Sequence, residues 1–150
     1  MSYDPATKIH ELSAFGEFGG VNPSITDSST YTFLKSETMK ELFESEIEGC
    51  FLYSRHWNPS NKYLSDAISA LENSEASQIT ASGISAIACT ILQICKQGDE
   101  LISSRTIYGG TYALFKNILP RFGITVKFVD VTDLTSFESA ISNNTKLIYC

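Results

Sequence analysis

The stretch Thr80-Ala81-Ser82-Gly83-Ile84-Ser85-Ala86-Ile87 constrains the fold of this chain more than any other. It reads as the exit of a buried strand over Ala76 to Thr80, a tight Ser-Gly turn, and the first turn of an apolar helix. Glycine has no Cβ, so the backbone can bend sharply at Gly83 and a ligand can approach it closely. The first amides of a helix have no intrahelical partner and carry the positive end of the helix dipole. A phosphate fits such a turn without a cationic side chain; the other reading of the same residues is an ordinary tight turn. The Gly-x-Gly-x-x-Gly of dinucleotide binders and the Gly-Lys-Ser/Thr of nucleotide P-loops are both missing, which disfavours NAD and ATP.

Downstream, the pattern alternates. Ile84, Ile87, Ala88, Ile91, Leu92 and Cys95 form a broad apolar helical stripe closed by Gly98. Strands are expected at Glu100 to Ser104, Thr125 to Val129 and Lys146 to Cys150. Between them lie expected helices at Gly110 to Leu119, stopped at Pro120, and at Leu134 to Ile141. Strands alternating with helices imply parallel crossovers and hence an α/β fold with a mainly parallel sheet. Such a sheet is normally covered on both faces. The sequence closes on its last strand, so the expectation is the front portion of a larger protein.

Upstream, the texture differs. Residues 1–60 are rich in Ser, Thr, Gly, Asn and Pro, with one clear helix from Ser36 to Glu46, capped by Ser36 and carrying Met39, Leu42 and Phe43 on one face. So long an irregular segment is unusual inside a compact domain. Phe15, Phe18, Tyr31, Phe33, Phe51 and Tyr53 are too many aromatics for a solvated tail. Residues 1–60 are therefore expected to form an extended arm over a neighbouring subunit, and residues 61–150 the first part of the α/β domain. That part opens with a helix in which Tyr63, Leu64, Ala67, Ile68 and Leu71 recur at helical spacing as far as Asn73.

A formal net charge of −6 over 150 residues argues against nucleic acid or an anionic membrane as partner. No apolar run is long enough to span a bilayer, and the opening residues lack the charged-then-apolar order of a signal peptide. A cytoplasmic protein is expected. Cys50, Cys89, Cys95 and Cys150 make no Cys-x-x-Cys, and Cys89 and Cys95 fall on the apolar helix as small buried thiols. His10 and His56 lie far apart in irregular regions, so no metal site is expected.

Two further segments carry groups suited to binding. In Tyr53-Ser54-Arg55-His56, Arg55 offers a planar fork of donors for phosphate or carboxylate and Tyr53 a hydroxyl; the alternative is a solvated loop arginine with aromatics anchoring the loop. Tyr108-Gly109-Gly110-Thr111 follows the strand at 100–104, and parallel sheets present ligand sites at the carboxyl ends of their strands. Tyr108 can stack on a planar ring and serve in proton transfer, or it can seal the sheet edge.

Together these segments resemble the Cys/Met-metabolism (trans-sulfuration) family of pyridoxal-phosphate (PLP) enzymes, of fold type I, the aspartate-aminotransferase type. The likeness runs through FGEFGGVNPSI, SSTYTF, YSRHWNPS, TASGISAI, GDELISSRTIYGGTYALF, LPRFGITVKFVDVTD and NTKLIY, nearly the whole chain, and looks nearest to the methionine γ-lyase branch. The resemblance implies that the amides of Ser82, Gly83 and Ile84 hold the cofactor phosphate. It implies that Tyr53 and Arg55 reach the phosphate in a neighbouring subunit, and that Tyr108 stacks on the pyridine ring and protonates a departing thiolate. The implied cofactor is pyridoxal 5'-phosphate, the implied substrate a small-molecule sulfur amino acid, and the implied assembly a homotetramer of catalytic dimers.

The implied reaction is elimination of methionine to methanethiol, 2-oxobutanoate and ammonia. Cystathionine γ-lyase, cystathionine γ-synthase and O-acetylhomoserine sulfhydrylase are the alternative activities of the family. In its members the Schiff-base lysine, the aspartate facing the pyridine nitrogen and the arginine for the substrate carboxylate lie beyond the position of Cys150. Residues 1–150 alone are accordingly expected to be inactive, and a truncated paralogue acting as an association partner is the reading of another class. The chain departs from the family at Ile84, usually methionine, and at Gly110, where many bacterial methionine γ-lyases carry cysteine.

Overall fold

A computed structural model describes the chain apart from residues 1–2, 13–15, 45–46 and 48. Two compact units are present, Met1–Ile79 and Thr80–Cys150.

The first unit holds helices α1 (Pro5–Glu11), α2 (Ser36–Glu44) and α3 (Pro59–Glu72). Helix α1 carries His10 and stands where the sequence reading expects irregular chain. Its start signal is local: the Asp4 carboxylate accepts from the Ala6 amide at 3.2 Å, and Pro5 occupies the first turn. Seven residues are too few to display a convincing apolar period. Helix α2 begins at Ser36 as expected, but Ser36 is its first helical residue and not its cap: its hydroxyl donates to the Glu37 carboxylate at 3.1 Å. The last two residues of the expected helix, 45 and 46, and the aromatic Phe15 lie outside the described residues. Asn58 caps α3 by accepting from the Asn61 amide at 2.8 Å, and Asn73 closes it in the left-handed conformation at φ 51°.

Earlier residues lie along α3. The Tyr3 hydroxyl accepts from the Asn73 amide at 3.1 Å, and the Ser60 hydroxyl accepts from the Thr26 amide at 2.8 Å. The strand expected over Ala76 to Thr80 is not formed. There the Ser65 hydroxyl donates to the Ser77 carbonyl, a group that a ladder would have used, and the Ser69 hydroxyl donates to the Ser77 hydroxyl at 2.9 Å.

The second unit runs α4 (Gly83–Ile94), β1 (Glu100–Ser104), α5 (Gly109–Ala113), β2 (Thr125–Val129), α6 (Leu134–Ala140) and β3 (Thr145–Tyr149). The strands form a parallel sheet in the order β2-β1-β3, with Leu101 opposite Val126 on one side and Leu147 on the other. Leu101, Ile102, Ser103 and Ser104 of the central strand are all buried, as expected when both faces of a parallel strand are covered.

The core cluster joins Ile91 and Cys95 of α4 with Leu101, Phe115, Leu119 and Ile124. Full burial of each such aliphatic or aromatic side chain contributes about 1.5–3 kcal/mol. Ile87, Ile91 and Cys95 are spaced at i, i+4 and form the packed line of α4. Cys89 is not a buried thiol: it lies two residues from both Ile87 and Ile91, on the opposite side of the helix, and is exposed. Cys95 is buried, and that burial pushes its thiol pKa up.

The helix expected to stop at Pro120 continues in another form. After Ala113 the chain widens into a π-helical turn over Leu114–Ile118, in which the Leu119 amide reaches back to the Leu114 carbonyl. A 3₁₀ turn over Leu119–Phe122 follows and contains Pro120 in its first turn, closed by Gly123 at φ 72°. Proline's ring clashes with the carbonyl four residues back in a regular helix and is tolerated in a first turn. The wide turn resets the register so that Pro120 can occupy one.

Candidate functional site

Parallel strands put their carboxyl ends on one edge of the sheet, and the residues that follow them converge there. An open cleft of about 370 Å³ lies in the second unit, lined by Ser82, Gly83, Ile84, Ile87, Tyr108, Thr111 and Tyr149.

The start of α4 supplies one wall. Ser82 is extended, at φ −163° and ψ 159°, and its Oγ accepts from the Ser85 amide at 3.1 Å. Its carbonyl accepts from the Ala86 amide at 3.0 Å. Among the described residues the Gly83 and Ile84 amides have no acceptor in the chain, which leaves two donors at the positive end of a 12-residue helix. None of the lining side chains is charged, so the positive potential of this wall comes from backbone.

The bend lies at Ala81 and Ser82, ahead of Gly83. Gly83 has no left-handed backbone, and among the described residues no atom beyond its two neighbours and the backbone of its own helix lies within 4 Å of where its Cβ would stand. Its own packing therefore does not demand glycine.

The opposing wall comes from the segments after β1 and at the end of β3. Tyr108, just before α5, is 75% exposed. Its ring folds back over α5: a Cβ on Gly110 would stand 2.7 Å from Tyr108 Cε1 and 3.4 Å from Ile84 Cδ1. Tyr149 meets Phe115 edge-on with ring centroids 5.1 Å apart. Thr111 is fully buried, and its Oγ1 has no hydrogen-bond partner among the described residues.

Of the residues singled out from the sequence, Ser82, Gly83, Ile84 and Tyr108 thus share one cleft. Tyr53 and Arg55 belong to the first unit and do not line it. They stand together: Tyr53 bridges to Thr30, the Arg55 guanidinium lies 5.2 Å from the Tyr53 ring centroid, and both side chains are exposed. Thr111 and Tyr149 escaped the sequence reading as site residues. The carboxyl-end rule that pointed to Tyr108 applies equally to Tyr149, whereas nothing local announces that the Thr111 hydroxyl is unpaired.

The family model described as Cys/Met metabolism PLP-dependent enzyme matches residues 6–150. The methionine γ-lyase of Arabidopsis thaliana is 41% identical, over 97% of this chain and 34% of that protein. Among solved structures, a Campylobacter jejuni protein assigned as an O-acetylhomoserine (thiol)-lyase superposes with a TM-score of 0.91 at 28% identity, over 99% of this chain and 37% of that one. That structure carries a pyridoxyl-lysine monophosphate. The cystathionine γ-lyase of Lactobacillus plantarum superposes with a TM-score of 0.82 at 31% identity, over 99% and 36% of the two chains. The chain spans about a third of the length of these relatives.

Proposed function

Because this chain belongs to the PLP-dependent enzyme family of Cys/Met metabolism, with the fold of type I PLP enzymes, we propose that the protein it forms part of is a carbon–sulfur lyase releasing methanethiol from methionine. The observation that carries this reading is the 41% identity to a methionine γ-lyase across 97% of the chain.

The cleft suits the family's cofactor. Two unpaired amides at the N-terminus of α4 offer a grip for a phosphate, and the open Tyr108 ring offers a face to a planar heterocycle. When bound, PLP supplies an electron sink for the α-carbon of an amino acid. The chain's own residues then have distinct tasks. Ser82, Gly83 and Ile84 hold the phosphate, and Ile84 does so through its backbone, which its departure from methionine leaves unchanged. Tyr108 covers the ring and delivers the proton of its phenolic oxygen to the departing sulfur. With methionine and one water the products are methanethiol, 2-oxobutanoate and ammonia.

Residues 1–60 serve in this reading as an arm that brings Tyr53 and Arg55 to the phosphate of a neighbouring subunit, within a homotetramer of catalytic dimers. Exposed apolar side chains along the arm support it: Phe18, Val21, Ile25 and Leu34 are each at least 86% exposed. The four cysteines are free thiols, which suits a reducing compartment such as the cytoplasm. Among the described residues no helix is long and apolar enough to cross a membrane.

The test is an assay of the purified full-length protein with methionine, with cystathionine, and with O-acetylhomoserine plus a thiol. Methanethiol release from methionine above the other two turnovers is the expected result. Turnover confined to O-acetylhomoserine would instead establish a sulfhydrylase. A full-length product that neither retains PLP nor turns over any of the three would be the associating paralogue.

A further inference from the structure

Thr111 is a polar group without a task in the fold. Its side chain has no solvent exposure, it lines the cleft, and its Oγ1 has no partner among the described residues. Buried hydroxyls in native proteins are nearly always paired, because burial removes the water that would otherwise satisfy them. Its hydroxylic neighbours obey the rule. Ser103 donates to the Ser104 carbonyl at 3.0 Å, the Ser104 hydroxyl accepts from the Thr106 amide at 3.1 Å, and Ser82 accepts from Ser85.

The cleft holds a second set of unpaired donors, the Gly83 and Ile84 amides at the start of α4. Helix α4 and the first turn of α5 lie close here, since Ile84 Cδ1 stands 3.4 Å from the position of a Gly110 Cβ. One occupant bearing several acceptor oxygens would satisfy both sets at once.

We propose that Thr111 is a binding residue of this cleft, whose hydroxyl donates a hydrogen bond to an oxygen of the bound cofactor. The proposal rests on the PLP reading above and adds to it a contact from α5. The amides would hold the ligand from one helix and Thr111 from the other.

The experiment uses the full-length protein freed of cofactor, with Thr111→Val and Thr111→Ser beside the native sequence. Two quantities are read: the Kd for PLP from quenching of protein fluorescence, and the Tm of each cofactor-free form. Valine keeps the shape and removes the donor, so its Kd should rise about five- to tenfold, the worth of one hydrogen bond. Serine should stay within about twofold of the native value. With the hydroxyl unpaired in the cofactor-free protein, as it is among the described residues, Thr111→Val should melt at the native Tm or above it.

An unchanged Kd in Thr111→Val overturns the proposal. So does a lowered Tm of its cofactor-free form, because the hydroxyl would then be paired with another segment of the protein. A native protein that binds no PLP defeats the functional reading itself, which separates the two failures.

Discussion

Ser82 combines two duties that substitution can separate. Its Oγ accepts from the Ser85 amide at 3.1 Å, and its backbone places the Gly83 and Ile84 donors on the cleft wall. Ser82→Ala removes the cap and should lower stability by about 1 kcal/mol in a denaturant titration. Ser82→Asp restores a capping oxygen but brings a negative charge to the anion site. It should regain the stability of the native protein while losing PLP retention on gel filtration, an outcome that a purely structural Ser82 would not produce. Gly110 is constrained differently. A Cβ there would stand 2.7 Å from the Tyr108 ring, and that ring is the exposed end of a movable side chain. Gly110→Ala should therefore leave stability within about 0.5 kcal/mol of native, a surface-like effect, while turning the Tyr108 ring away from α5. The changed ring position would show in the circular dichroism of the bound cofactor.

Between elements, the sheet is tied by charge as well as by apolar packing. Lys127 on β2 donates to Glu100 on β1 at 2.7 Å and to the Ala140 carbonyl at the end of α6 at 3.1 Å, and Ser142 donates to the same Glu100 oxygen. Lys127 and Ser142 together hold the Glu100 carboxyl below the usual carboxylate range. A carboxyl whose pKa is lowered by folding stabilises the protein above its unfolded pKa and loses that contribution as pH falls through the folded value. Lys127→Met should consequently flatten the acid limb of the stability–pH curve, with a smaller drop between about pH 7 and about pH 3 than in the native protein. Equal drops would mean that this half-buried pair contributes nothing to stability. The segment after α5 teaches a different lesson. Pro120 correctly announces a disturbance of the helix, yet the π-helical turn over Leu114–Ile118 absorbs it and the helical path runs on to Phe122. A proline fixes one dihedral and removes one donor; whether the chain stops or changes pitch depends on what Phe115 and Leu119 bury against.

For the whole molecule the decisive question is whose site Arg55 serves. Arg55 and Tyr53 stand together in the first unit and do not line the cleft of the second. If they act across a subunit boundary, full-length Arg55→Ala and Tyr108→Phe, each impaired alone, should rescue one another on mixing. A hybrid dimer would contain one site with both native residues, and random pairing of equal amounts would return about a quarter of the native activity. No recovery after verified subunit exchange would show that both residues serve the same protomer's site, and the arm would lose its proposed role.

Short-range physics was legible from the residues in order. The Ser-Gly turn that opens α4, the helical spacing of Ile87, Ile91 and Cys95, and the β-branched run at Thr125 to Val129 each depend on neighbours a few positions apart, and each produced the expected element. Motif resemblance carried the family, because Ser82, Gly83 and Tyr108 stand in segments that can be read without coordinates. Long-range packing settled the rest. It exposed Cys89 and buried Cys95 on one apolar helix, and it diverted Ser77 from a ladder to α3. It also left the Thr111 hydroxyl without a partner among the described residues, in the cleft that Gly83 and Ile84 line. Periodicity states that a helix has an apolar side; which groups that side meets, and which polar atom finds none, exist only once distant segments share a surface.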